Sequence, residues 1–252
     1  MKTRILAAAL ALALAGTAEC ACAASGTLTV GVRDDIMHFG YLNPNTGKYY
    51  GLEIDLAEEM AKRMGYDKVE YVTVKPENRK EMLLNGEVDC LVAAYSVSDT
   101  RRKNFDFSPA YYTDFSSIMV EQSSMIEDYR ELTGKKIGVL EGASTGPKLQ
   151  EKMVADGLIT EEDTKGCSFV ELESYEALSV ALEEGTVDVA CMDGCIARAY
   201  MEDDRAILEE KIAQEEYAVA TQKDSELSAP VAEAVQELLD DGTVEELIEK
   251  WS

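Results

Sequence analysis

The apolar positions along this chain change period repeatedly from Leu28 onward. LTVGV at 28–32 is a short β-branched run, whereas Ile54, Ala57, Met60, Ala61 and Met64 recur every three or four residues and predict a helix from about Glu53, with Gly65 as its stop. VEYVTV at 69–74, a helix around 77–84 and VDCLVAA at 88–94 continue the alternation. The CLVAA run has no polar interruption, which suits a strand covered on both faces. The grammar is α/β, with a mainly parallel sheet flanked by helices.

The pattern then restarts. FSSIMV at 115–120, KIGVL at 136–140, a helix after Gly146, SFVEL at 168–172, a helix at 174–184 and VDVACM at 187–192 make a second α/β unit. The punctuation matches between the halves: in Gly86-Glu87-Val88-Asp89 and Gly185-Thr186-Val187-Asp188 a helix ends at glycine and a buried strand opens at Val-Asp. EEYAVATQKD at 215–224 reads as a strand, followed by helices around 225–240 and 243–250 with Gly242 between them. No Pro- or Gly-rich linker divides the halves, so the chain is expected to cross between two lobes twice, its tail returning to the first.

The chain has 252 residues, 46% of them hydrophobic, and carries 24 basic against 49 acidic side chains for a formal net charge of -25. That balance repels a phosphate backbone and excludes nucleic acid as a partner, while the apolar share provides for a packed core. Lys2 and Arg4, the uncharged run Ile5–Ala15 and the small residues up to Ala21-Cys22-Ala23 read as a secretory leader over residues 1–23. The run is shorter than the roughly 20 residues that span a bilayer, so an exported, soluble chain is expected. Cys20 and Cys22 invite a lipid anchor, which Glu19 argues against; free secretion and anchoring both stay open.

Beyond the leader, Cys90, Cys167, Cys191 and Cys195 permit up to two disulfides or buried thiols. Zinc is the weaker reading, since Cys191-x-x-x-Cys195 has only His38, the single histidine, to complete its ligands. His38 also lacks the companions of a nucleophilic or acid–base site, and no cofactor or metal is expected. Acidic runs at 161–163 and 202–204 lack the glycine and spacing of a calcium loop.

In parallel sheets, ligands bind beyond the carboxyl ends of the strands. Those ends supply Arg33, Asp34, Asp35 and Phe39; Tyr95, Ser96, Ser98 and Arg101; Gly142-Ala143-Ser144-Thr145, opening a helix; and Asp193. An arginine, an aspartate, hydroxyls and helix N-terminal amides form a receptor for a zwitterion: guanidinium for a carboxylate, carboxylate for an ammonium. Each has a blander reading. Arg101 could belong to a solvated face, Ser144, Thr145 and Asp193 could cap helices, and Tyr95 could be a half-buried lobe-one tyrosine instead of part of a ligand wall.

The chain from 26 to 252 resembles the substrate-binding proteins of polar amino acid ABC transporters. The likeness rests on LTVGV with Phe39 downstream, Gly51-Leu52-Glu53-Ile54-Asp55-Leu56, Ser96-x-Ser98-x-x-Arg101, Phe105-Asp106-Phe107-Ser108-Pro109-x-Tyr111, Leu132-x-Gly134-Lys135-Lys136-Ile137-Gly138-Val139, Gly142-Ala143-Ser144, the two Gly-x-Val-Asp motifs, and Gly242-Thr243 before Trp251. The resemblance implies a two-lobe, periplasmic-binding-protein-like (type II) fold with two hinge strands, lobe 1 being 24–112 with 219–252 and lobe 2 being 113–218. It implies Arg101 for an α-carboxylate, Ser96 and Ser144 for supporting bonds, and Asp193 for an α-ammonium. The expected protein is a monomeric amino acid carrier, not an enzyme, that serves a membrane ABC permease.

Departures bear on the ligand. Ile36, Met37-His38 and Leu52 stand where many members carry aromatic, proline or aromatic residues, so a flat or long cationic side chain loses its clamp. A small, polar or acidic ligand is favoured, with Arg33 a candidate for a side-chain carboxylate. The alternatives are a cyclohexadienyl dehydratase-like enzyme on the same fold, for which no general acid stands out, and a sensory ligand-binding lobe.

Overall fold

A computed structural model describes residues 26–252; the leader and its cysteines lie outside the described residues. The chain opens with β1 (Thr27–Val32), then a small antiparallel sheet of β2 (Asp35–Ile36), β3 (Gly40–Asn43) and β4 (Lys48–Tyr50), then α1 (Leu52–Arg63), β5 (Lys68–Thr73), α2 (Arg79–Leu84) and β6 (Cys90–Val92). Strand β7 (Phe105–Glu121) leads into β8 (Lys136–Leu140), α3 (Thr145–Ala155), β9 (Ser168–Leu172), α4 (Tyr175–Glu183), β10 (Val189–Asp193), α5 (Gly194–Ala199) and β11 (Arg205–Ile207). The chain ends with β12 (Gln214–Gln222), α6 (Ser228–Asp240) and α7 (Thr243–Trp251).

The strands line up as β5-β1-β6-β12-β7-β10-β8-β9, with β11 beside β7. Pairing is parallel for β5-β1-β6 and for β10-β8-β9, and antiparallel wherever β7 or β12 takes part. Strand β7 joins the two parallel halves, pairing with β12 on one side and with β10 on the other. The strand expected at 115–120 is therefore the second half of one 17-residue strand. Its partner shifts register between Tyr217 and Ala218, where Tyr111 is skipped in the pairing, and again between Ala218 and Ala220; such bulges bend a ladder locally. The tail packs back on the first half: Lys250 and Trp251 both donate to Asp55 of α1, at 2.7 and 2.6 Å.

The Gly-x-Val-Asp motifs do the same job twice. Asp89 accepts the amide of Thr29 in β1 at 2.7 Å, and Asp188 accepts the amide of Lys136 in β8 at 2.7 Å. Each aspartate also donates its own amide to the carbonyl of the same residue, at 2.8 Å. A carboxylate thus pins the start of the neighbouring parallel strand, which explains an Asp at the mouth of an apolar run. The small β2–β4 sheet was not evident from periodicity, its strands being two to four residues long. Gly51, at φ 132°, closes it onto α1: a Cβ there would lie 2.0 Å from the Phe39 carbonyl oxygen, so only glycine fits. Cys90, Cys167, Cys191 and Cys195 are all buried free thiols, so of the two readings the disulfides are not formed.

Candidate ligand-binding site

Three arginines converge at the carboxyl edge of the first sheet. Arg33 leaves the end of β1, Arg79 opens α2, and Arg101 opens a short 3-10 turn beyond β6. Arg33 is buried and forks onto Asp35, Nε to Oδ1 at 2.9 Å and Nη2 to Oδ2 at 2.6 Å. Burial opposes its charge, but Asp35, Tyr175 and Glu53 together hold its pKa above the ordinary value. Arg101 donates to the Ser96 carbonyl at 2.7 Å and lies 4.3 Å from the centre of the Tyr95 ring. Arg79 lies 4.6 Å from the centre of the same ring, so Tyr95 meets two guanidinium groups.

Arg79 differs from its neighbours. It is 3% exposed, its Nη1 donates to the Ala93 carbonyl at 2.7 Å, and its Nε has no partner among the described residues. It forms no ion pair there either. Burial first, then the like charges of Arg101 and Arg33, push its pKa down to about 9. A buried cation held without a close ion pair is costly, and such a site is relieved by an arriving anion.

The facing edge of the second sheet is acidic and rich in hydroxyls. Asp193 ends β10; its Oδ2 accepts from the Tyr217 hydroxyl and its Oδ1 is buried with no partner among the described residues. Burial, then the negative charge of Glu215, raises its pKa to about 7. Glu215 on β12 is fully buried and gathers Ser116 of β7 at 2.9 Å, Lys148 of α3 at 2.8 Å and the Ser144 hydroxyl at 3.4 Å. Thr145, the first residue of α3, is buried with Oγ1 unpartnered among the described residues. Tyr175 of α4 reaches over the cleft, its ring 5.5 Å from the Arg33 guanidinium. At Gly142 a Cβ would sit 3.0 Å from the Pro76 carbonyl carbon of the opposite lobe, so the lobes meet here at van der Waals contact.

The structure thus brings Arg33, Tyr95, Ser96 and Arg101 to one edge and Ser144, Thr145 and Asp193 to the other. Ser144 precedes α3 without a side-chain cap bond, and Asp193 likewise makes none at α5, so both are spared the capping role that residues of their type often take. Phe39 stands behind rather than among them: its ring packs edge-on against Tyr112 at 4.9 Å and Tyr217 at 6.1 Å. It borders a separate apolar pocket of about 370 Å³ shared with Met37, His38, Cys195, Arg198 and Trp251.

Sequence reasoning missed Arg79, Glu53, Tyr175 and Glu215. The signal for Arg79 was an arginine at the start of a helix that follows a strand end; the others open helices or sit in a strand, with no local mark of burial. The buried side-chain atoms without a hydrogen-bond partner among the described residues are Glu53 Oε2, Arg79 Nε, Thr145 Oγ1 and Asp193 Oδ1, and all four lie around this cleft. Orphaned polar atoms are rare in a folded interior and call for a cause; polar groups left unpaired where two sheet edges meet suit a small, strongly polar ligand.

The model of the bacterial extracellular solute-binding proteins, family 3, matches residues 28–252. The chain belongs to this family. Among curated relatives of this solute-binding protein, the ABC transporter glutamine-binding protein GlnH of Bacillus subtilis (strain 168) is 27% identical over 230 residues, 89% of this chain and 80% of that one. An L-glutamate/L-aspartate-binding protein of Pseudomonas aeruginosa is 27% identical over 239 residues, 90% of this chain and 77% of that one. The solved structure of an ancestral arginine-binding protein bound to arginine matches with a TM-score of 0.79 at 29% identity, covering 90% of this chain and 98% of that one. These relatives are binding proteins, and the solute-binding protein described here is not an enzyme. Their ligands carry amide, acidic and basic side chains, so kinship leaves the side chain bound here to be decided by the cleft itself.

Proposed function

We propose that this solute-binding protein captures an amino acid with an acidic side chain between its lobes and delivers it to the membrane permease of an ABC importer. The single observation that carries the acidic reading is Arg79, a buried guanidinium without a carboxylate partner, set beside Arg33 and Arg101. Arg101 takes the α-carboxylate, helped by Ser96 and Tyr95; Arg79 takes the side-chain carboxylate, with Arg33 alongside, its own charge already engaged by Asp35. From the second lobe, Asp193 takes the α-ammonium, and Ser144 and Thr145 add hydroxyl contacts.

Residues 24–112 with 219–252 act as one lobe and 113–218 as the other. In support, the pairing of β7 with β12, which lies between the two parallel halves of the sheet, shifts register at Tyr217/Ala218, opposite 110–112. Closure then follows from differential affinity: the ligand contacts both edges only when the lobes meet. The protein acts as a monomer outside the cytoplasm, delivered there by its leader.

Calorimetry of the chain from residue 24 tests this directly, with glutamate and aspartate titrated against glutamine, asparagine and arginine. The acids are expected to bind at least about tenfold more tightly than their amides, a difference of about 1.4 kcal/mol. Preference for the amides, or for arginine, would remove the acidic assignment while leaving the carrier reading in place.

A further inference from the structure

Glu53 is fully buried in the first turn of α1, an unusual place for a carboxylate. Its Oε1 accepts two hydrogen bonds, from the Ala94 amide at 2.6 Å and from the Tyr111 hydroxyl at 2.5 Å. Burial raises its pKa, and these two bonds together with the Arg33 and Arg79 charges work against that rise. Ala94 is a non-glycine residue at φ 45°, in the left-handed region that a Cβ disfavours by about 1–2 kcal/mol. Immediately after it come Tyr95 and Ser96, and then Arg101.

The peptide joining Ala93 to Ala94 is held from both ends. Its N–H donates to Glu53, while its carbonyl accepts from Arg79 Nη1 at 2.7 Å. The same carboxylate is tied through Tyr111 to the residue skipped in the β7–β12 pairing. One side chain therefore links the turn that launches the ligand-binding loop, the arginine proposed for the ligand side chain and the strand that joins the lobes.

We infer that Glu53 is a positioning residue for ligand binding: it holds Ala94 in its left-handed conformation, so that Arg79, Tyr95 and Arg101 are presented to the ligand together. Without the carboxylate the Ala94 amide would be buried unpaired and the turn would relax toward ordinary φ, carrying the loop with it. This inference rests on the reading of the cleft as an amino acid site, but not on which amino acid fills it.

The test is a mutant cycle read as ligand affinity by calorimetry, using whichever common amino acid binds the unmodified protein best. Glu53→Ala is expected to weaken binding by at least about tenfold, since an unpaired buried donor and a misplaced loop both count against the complex. Glu53→Gln, which keeps an acceptor for Ala94 and Tyr111, is expected to stay within a few-fold of the unmodified protein. Ala94→Gly, added to Glu53→Ala, is expected to recover most of the lost affinity, because glycine adopts a positive φ without strain. A residue that merely fills the core would give no such rescue.

Thermal melts of the ligand-free variants separate loss of fold from loss of binding. Affinity unchanged in Glu53→Ala, or a folded Glu53→Ala whose deficit Ala94→Gly leaves untouched, overturns the inference. If Glu53→Ala fails to fold, Glu53→Gln together with Tyr111→Phe decides: a tenfold loss in the former with none in the latter overturns it. An unmodified protein that prefers a neutral or basic amino acid overturns only the acidic reading, and the cycle is then run with that ligand. One that binds no amino acid overturns both.

Discussion

The two lobes start their sheets alike and finish them in opposite ways. At the amino ends of β1 and β8, an aspartate from a Gly-x-Val-Asp motif pins the strand with the same pair of hydrogen bonds. At the carboxyl ends the first lobe presents Arg33, Arg79 and Arg101, and the second presents Asp193 and Glu215 with Ser144 and Thr145. A repeated scaffold thus keeps its folding device and varies its ligand edge, as expected where loops at strand ends carry function while the pins serve stability. In the proposed reading the ligand's carboxylates lie toward the first lobe and its ammonium toward the second.

The largest effect is expected at Arg101. Arg101→Ala strands the ligand carboxylate in a desolvated cleft, and calorimetry is expected to find binding weaker by about 3–5 kcal/mol; near-unchanged affinity would dissolve the contrast between the edges. Arg79→Gln sharpens it. Affinity for an acidic amino acid is expected to fall by about 2–3 kcal/mol, because a charge-assisted bond is lost, while affinity for the corresponding amide changes little. The same substitution removes a buried charge that makes no close ion pair, so the ligand-free protein is expected to melt at a higher temperature than the unmodified one. A lower melting temperature would mean that Arg79 is satisfied within the fold.

The acidic edge predicts a pH dependence. Asp193 titrates at about 7 in the ligand-free fold against an ordinary 3.8, so the folded protein holds its proton more tightly than the unfolded chain. From this group the ligand-free protein loses stability as pH rises from about 4 toward 7. Binding an ammonium needs the ionised form, so affinity is expected to weaken as pH falls below about 7, approaching tenfold per unit. Asp193→Asn is expected to bind weakly and to flatten that profile; a flat profile in the unmodified protein would place the ammonium elsewhere. The smallest effects belong to the pins. Asp89→Asn and Asp188→Asn are each expected to cost about 1–2 kcal/mol in chemical unfolding, with ligand affinity within twofold; a large affinity loss in either would show that pin and edge are coupled.

The main sheet was legible because its longer strands and helices announce themselves locally. KIGVL at 136–140 and SFVEL at 168–172 form strands over the ranges their composition marks, and the period of Ile54, Ala57, Met60 and Ala61 falls on the buried face of α1. Less legible was the passage between lobes: only the second half of β7 reads as a strand, because its burial pattern is irregular through 105–115. Within the site, Arg101 and Asp193 could be found from strand ends, whereas Tyr175 could not, because nothing before it in the chain says that α4 points at Arg33.

By itself the sequence determined the alternation of the longer strands and helices, the two-unit plan, the acidic balance and half of the cleft, all properties set by neighbours a few residues away. Tertiary structure alone decided which charges are desolvated and which are left unpaired. Glu53 meets Tyr111 across 58 positions, and Ser116 meets Glu215 across 99. The cost of a charge depends on the dielectric and the partners around it, and packing supplies these from segments that no local pattern connects.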